Sequence, residues 1–100
     1  IVKSNTSIEQ PFRKGLLQEI EINARLQNKH TNGVSLELDV FYAKPYNKSY
    51  PQRQYVNGEN SSLFSSRWKF DEAGKFVSGN HEIHIYWKDL LLGKVSFYVE

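Results

Sequence analysis

Residues 16–27 read LLQEIEINARLQ, and apolar side chains recur at every second position of this segment. Five of its six even-numbered residues are apolar, against one of its six odd-numbered residues. Because successive side chains of a strand point to opposite faces, this alternation predicts a β-strand with one dry and one solvated face. A helix is the competing interpretation, since Ser7-Ile8-Glu9-Gln10 resembles a helix-capping motif, but the apolar residues align less well at helical spacing.

The sequence after this strand predicts a hairpin. Residues 28–33 are polar and end in Asn32-Gly33, a pair that tolerates the positive φ angles of a tight turn. Alternation then resumes with apolar side chains at Val34, Leu36, Leu38, Val40 and Tyr42. We therefore expect residues 34–42 to pair antiparallel with residues 16–27. The carboxylates of both strands fall on the solvated face, namely Glu19, Glu21, Glu37 and Asp39.

Further strands are expected downstream. Residues 64–70 alternate up to a polar turn, and a closing hairpin follows around Lys88-Asp89. Its first strand would carry Ile83, Ile85 and Trp87 on the inner face. Its second strand would carry Leu91, Gly93, Val95, Phe97 and Val99 on the inner face, with a bulge at Gly93.

These elements predict a single all-β domain over residues 1–100. Two weaker strands are expected at Ile1–Lys3 and Gln52–Val56, and turns separate the strands at the spacing typical of a sandwich. We expect a small antiparallel β-sandwich of immunoglobulin-like type with about six or seven strands and no disulfide. Residues 1–12 would form an edge strand or a linker.

The composition narrows the class of protein. The chain has 100 residues, 39% of them hydrophobic, and no cysteine, so one core is feasible and disulfides and thiol chemistry are excluded. A net charge of +2 supplies too few phosphate contacts for nucleic-acid binding, and no apolar run is long enough to predict a membrane span. Three glycan-acceptor motifs fall in polar stretches, at Asn5, Asn47 and Asn60.

The last third of the chain carries a family-like pattern. Residues 68–70 read WKF, Gly79 follows, and residues 81–99 read HEIHIYWKDLLLGKVSFYV. This resembles the closing hairpin of a family of small uncharacterised bacterial immunoglobulin-like β-sandwich domains, whose first strand also opens with a glycine, as at Gly15 here. The family usually has an aromatic residue where this chain has His81. The resemblance implies a β-sandwich accessory or secreted module with no known catalytic residues.

Residues 41–55 read FYAKPYNKSYPQRQY, so tyrosines and cations interleave without an acidic residue. Tyrosine provides amphipathic contact area and the cations add charge complementarity, which suits a binding loop. The candidate binding residues are Tyr42, Lys44, Tyr46, Lys48, Tyr50, Arg53 and Tyr55. The alternative is that these tyrosines only pack over an open end of the sandwich while the lysines keep the loop soluble.

Catalytic and metal-binding patterns are weak. His81 and His84 are three residues apart, which on a strand turns them to opposite faces, and His30 lies in the expected hairpin loop. We expect these histidines at the sheet surface, the rim and the loop. We expect no metal site, no cofactor and no catalytic residue, because the strand carboxylates would lie on a flat solvated face that raises no pKa for acid–base chemistry.

The sequence thus predicts a non-enzymatic interaction or structural module that binds a protein partner, as part of a bacterial secreted, periplasmic or cell-envelope protein. The partner would dock on the tyrosine- and lysine-rich loop or on an exposed sheet edge such as Leu91–Glu100. The alternative is a carbohydrate-binding module that uses the loop tyrosines with Trp68 or Trp87. Nucleic acid is not expected as a partner.

Overall fold

The computed structural model describes residues 2–5, 9–26, 36–56 and 62–100. In this part of the chain, seven β-strands form two antiparallel sheets. The strands are β1 (Val2–Ser4), β2 (Glu19–Leu26), β3 (Leu36–Lys44), β4 (Gln52–Val56), β5 (Ser62–Lys69), β6 (Gly79–Trp87) and β7 (Leu90–Val99). The three-stranded sheet has the order β1–β2–β5 and the four-stranded sheet the order β4–β3–β6–β7. The predicted all-β sandwich is confirmed, and the finer immunoglobulin-like assignment stays a prediction.

The core lies between the two sheets and is built by alternation along the strands. Its members include Ile20 and Ile22 of β2, Leu36, Leu38, Val40 and Tyr42 of β3, Ile83 and Ile85 of β6, and Phe97 and Val99 of β7. These residues are the ones that the sequence pattern placed on the dry faces, so the strands themselves are correctly predicted. Their burial stabilises the folded state by about 25 cal/mol for each Å² of apolar surface removed from water.

The predicted hairpin between β2 and β3 is wrong, because the two strands lie in different sheets. β2 pairs with β1 and β5, whereas β3 pairs with β4 and β6. Each strand has one dry face, and both dry faces are covered when the strands stand on opposite sides of the core. Alternation identifies the dry face of a strand but not its neighbour in the sheet. The expected Asn32-Gly33 turn lies outside the described residues.

The start of β2 also differs from the prediction. Residues Lys14–Leu16 form a short 3₁₀ turn, and strand pairing begins only at Glu19. The turn shifts the phase of alternation, so Leu17 is buried while Leu16 remains 55% exposed.

The Asn5 side chain fixes this start of β2. It donates from Nδ2 to the carbonyl of Leu16 (3.1 Å), and its Oδ1 accepts from the backbone N–H groups of Gln18 (2.8 Å) and Glu19 (3.2 Å). The same amide nitrogen would carry a glycan at this motif. The third motif residue, Asn60, lies outside the described part of the chain.

The bulge expected at Gly93 is present in the closing hairpin. Ile85 is paired with Gly93, but the next residue of β6, Tyr86, is paired with Leu91, so Leu92 is the additional residue. The bulge reverses alternation in the first residues of β7. Leu91 therefore lies opposite the outward-facing Tyr86, and its predicted place on the inner face is wrong.

Short contacts outside the ladders close both sides of the sandwich. On one side, the N–H of Phe12 donates to the carbonyl of Tyr98 (2.9 Å), and the carbonyl of Phe12 accepts from the N–H of Glu100 (3.0 Å). On the other side, Nε2 of Gln54 donates to the hydroxyl of Ser66 on β5 (3.0 Å). Phe12 thus lies beside β7, the edge strand of the four-stranded sheet.

Candidate functional site

The structure separates the predicted binding residues into a buried and an exposed group. Tyr42 is 1% exposed and belongs to the core, and Tyr46 is half-buried against it. The assignment of Tyr42 to a binding surface is therefore corrected, because its ring and hydroxyl both face other core residues. For these two tyrosines, the packing alternative describes the structure better than the binding interpretation.

Tyr42 is part of a buried hydrogen-bond chain. Its hydroxyl bonds Nδ1 of His81 (2.5 Å), and Nε2 of His81 bonds the carbonyl of Val77 (2.8 Å). Since the carbonyl can only accept, Nε2 carries the proton and Nδ1 accepts from Tyr42. The N–H of Val77 in turn donates to the hydroxyl of Tyr46 (3.0 Å). Burial raises the pKa of Tyr42 and lowers the pKa of His81, so both groups remain neutral.

The prediction that His81 lies at the sheet surface or rim is wrong. The residue is 0% exposed, and its ring stacks on Phe97 with centroids 4.9 Å apart. Other rings surround this pair within the core, namely Tyr42, Tyr46 and Phe76. His81 thus packs among aromatic rings in the core, and two hydrogen bonds compensate its polar atoms.

The exposed predicted residues border the solvent side of the four-stranded sheet, which we call the outer face. It comprises Arg53 and Tyr55 of β4, Glu37, Asp39 and Phe41 of β3, Glu82, His84 and Tyr86 of β6, and Leu91, Lys94 and Ser96 of β7. Lys44 reaches the same face, where its Nζ lies 3.7 Å from a Glu82 oxygen. Tyr50 is 87% exposed, in the connection between β3 and β4.

A shallow cleft of about 480 Å³ lies in this outer face. Its residues come from β3, β6 and the adjacent turns, namely Asp39, Phe41, Ala43, Asn47, Lys48, His84, Tyr86, Lys88 and Asp89. Two of these residues, Phe41 and Tyr86, form an edge-to-face pair with ring centroids 5.7 Å apart. Lys48 is the member of the predicted binding set that lines this cleft.

Charged groups around the cleft are paired within the sheet. Nε of Arg53 lies 3.1 Å from Glu37 and 3.4 Å from Oδ1 of Asp39. Among the described residues, that Asp39 oxygen is buried and accepts no hydrogen bond. A hydrogen bond from His84 (3.0 Å) and the charge of Lys44 hold the pKa of Glu82 below its ordinary value.

Sequence reasoning missed Phe41 and Tyr86. Both residues are aromatic at positions where the alternation of their strands predicts a polar, solvent-facing side chain. This mismatch could have identified them from the sequence. A single aromatic side chain on a solvated face is common, whereas two in contact on neighbouring central strands form an apolar patch, which is the more informative feature. The lysine and tyrosine spacing of residues 41–55 drew attention to the neighbouring loop instead.

A second, smaller cleft of about 240 Å³ opens between β5 and the connection before β4. Trp68 and Tyr42 line it, and their rings meet edge-to-face 5.3 Å apart, with Trp68 only 9% exposed. The aromatic rings here present edges and little area, so they do not form a flat stacking platform for a sugar ring.

No protein-family model matches the chain, and neither curated proteins nor solved structures give a significant match. Within the described ranges, no three His, Asp or Glu side chains are placed to hold a metal ion together. No helix in these ranges is long and apolar enough to cross a membrane.

Proposed function

We propose that this chain is a non-enzymatic module that binds a protein partner through the outer face of its four-stranded sheet. The observation that supports the proposal is that the Phe41–Tyr86 pair lines the cleft of the outer face, among charged residues. Protein interfaces characteristically combine an aromatic centre with a polar, charged rim, and most of their binding energy comes from a few such central residues.

The position of the aromatic pair favours binding. Phe41 and Tyr86 stand on β3 and β6, the two central strands of the sheet. Tyr86 is paired on both sides, with Asp39 of β3 and Leu91 of β7, and Phe41 is paired with His84 of β6, so strand pairing orders the backbone at both residues. A partner therefore meets side chains that are already ordered, and little conformational entropy is lost on docking.

The cleft is lined by residues of both charge signs. Lys48 and Lys88 are positively charged, and Asp39 and Asp89 are negatively charged. A mixed pattern suits a protein surface of complementary charges better than a uniformly anionic nucleic acid. We do not extend the proposal to carbohydrate. Of the aromatic residues expected to stack on sugar rings, Tyr42 and Trp68 are buried and Tyr46 and Trp87 pack against the core, which leaves Tyr50 and Tyr55 as the exposed ones.

Site-specific crosslinking tests the proposal. A photoreactive phenylalanine analogue would replace Tyr86 on the outer face or, as control, the exposed Leu63 on the other sheet. The partner captured at position 86 would be purified and its affinity measured by calorimetry. We expect Tyr86→Ala to weaken binding about tenfold or more, and Lys88→Glu to weaken it while Lys69→Glu on β5 does not. Equal capture at both positions, or unchanged affinity of the Tyr86 variant, would contradict the proposal.

A further inference from the structure

The free edge of β7 is half occupied by the chain's own N-terminal segment. The backbone N–H of Tyr98 donates to Oε1 of Gln10 (2.9 Å), and its carbonyl accepts from the N–H of Phe12 (2.9 Å). Both groups of Tyr98 therefore point away from β6. Because backbone groups alternate in direction along a strand, those of Ser96 and Lys94 point to the same side.

The other half of this edge is open in the described part of the chain. Between Leu91 and Phe97, β6 is the one strand that pairs with β7 among the described residues, and no described segment crosses its outer side as Phe12 does near Val99. The open half begins with three consecutive exposed leucines, Leu90 at 58%, Leu91 at 38% and Leu92 at 39%. Unpaired backbone groups beside apolar side chains form a template for an added strand.

The remaining edges of the two sheets are less suitable for strand addition. β1 has only three residues. The edges of β4 and β5 are joined by side chains, since Nε2 of Gln52 donates to the carbonyl of Arg67 (2.6 Å) and Gln54 bonds Ser66. β7 is therefore the edge with the longest unpaired stretch among the described strands.

We propose that the open half of β7 binds an extended segment of a partner protein that places a carboxylate beside Lys94. The local charges favour an acidic residue, because Lys94 and Lys44 share one nearby carboxylate, that of Glu82. A second copy of the chain fits less well. The open stretch from Leu91 to Phe97 is centred on Lys94, so two-fold antiparallel pairing would set Lys94 against its own copy.

This inference rests on the proposed function and specifies how the partner is held. Leu91 lies opposite Tyr86, which lines the outer-face cleft, so the edge and the cleft form one continuous surface. A strand added to β7 would supply main-chain hydrogen bonds for affinity, while its alternate side chains reach the outer face for specificity.

The probe is a capped nonapeptide of alternating valine and threonine with a central glutamate, compared with the same peptide carrying a central lysine. Binding would be followed by NMR, with hydrogen exchange of the Lys94 and Ser96 amides. We expect the glutamate peptide to slow exchange of both amides about tenfold or more at saturation, and the lysine peptide to bind less. Lys94→Glu should reverse the preference between the two peptides.

A matched pair of variants separates strand addition from side-chain contact. Ser96→Pro removes the outward N–H, which has no role in the β6 ladder, whereas Ser96→Ala retains it. We expect the proline variant to lose peptide binding and the alanine variant to keep it, with thermal unfolding showing that both fold. Exchange rates unchanged by either peptide, or self-association in the ultracentrifuge that Ser96→Pro abolishes, would overturn the inference. If the inference fails in this way but Tyr86→Ala still weakens binding of the partner identified by crosslinking, the proposed function stands without strand addition.

Discussion

Removing the hydroxyl of Tyr42, as Tyr42→Phe, tests the buried hydrogen-bond chain. The ring stays in place, so no cavity of consequence is created, but Nδ1 of the fully buried His81 loses its donor. A buried acceptor left without a partner costs about 1–3 kcal/mol. For a domain of this size each kcal/mol corresponds to roughly 4–8 °C in the unfolding midpoint. We therefore expect a clear loss of stability from the deletion of one oxygen atom.

Urea denaturation followed by tryptophan fluorescence measures the effect, since the Trp68 ring contacts Tyr42 directly. Tyr50→Phe is the matched control, because it deletes the same atom from a residue that is 87% exposed, and its free energy of unfolding should stay within about 0.5 kcal/mol of the parent. In a double-mutant cycle with His81→Leu, the double variant should lose less unfolding free energy than the two single variants lose in sum. Equal stability of the Tyr42 and Tyr50 variants would refute the reasoning.

Three further outcomes are expected. Because burial lowers the pKa of His81, the unfolded chain takes up a proton before the folded one, and the free energy of unfolding falls as the pH drops below about 6.5, by at most ~1.4 kcal/mol per pH unit for this group. Urea denaturation at a series of pH values should show a smaller pH dependence of the unfolding free energy for His81→Gln than for the parent. An unchanged pH dependence would mean that other titrating groups cause it. Phe12→Ala should cost about 3–5 kcal/mol, because a fully buried ring is removed, and calorimetry would show it as a large drop in melting temperature. Arg53→Ala should cost less than about 1 kcal/mol despite its two ion pairs with Glu37 and Asp39, because the side chain is mostly exposed; a larger loss would mean that these pairs are stronger than surface pairs usually are.

Tyr42 shows why only part of the candidate site followed from the sequence. The residue belongs to two patterns, since alternation along residues 34–42 places it inside, while the tyrosine and lysine spacing of residues 41–55 placed it on a binding surface. Alternation is a geometric property of every strand, whereas residue spacing in a loop has no fixed geometry, and the structure follows alternation. Lys44, Arg53 and Tyr55 do reach the surface.

The sequence alone determined which segments are strands and which side of each faces the core, because a strand's period of two residues is local. Tertiary structure decided which strands are neighbours, since β2 pairs with β5 and not with the next strand along the chain. It also decided the burial of His81, which depends on a hydrogen-bond donor from another strand, and the side that Leu91 faces, which depends on how the bulge beside Gly93 is registered against β6. Strand pairing, register and buried polar contacts join residues distant in sequence, so no local pattern encodes them.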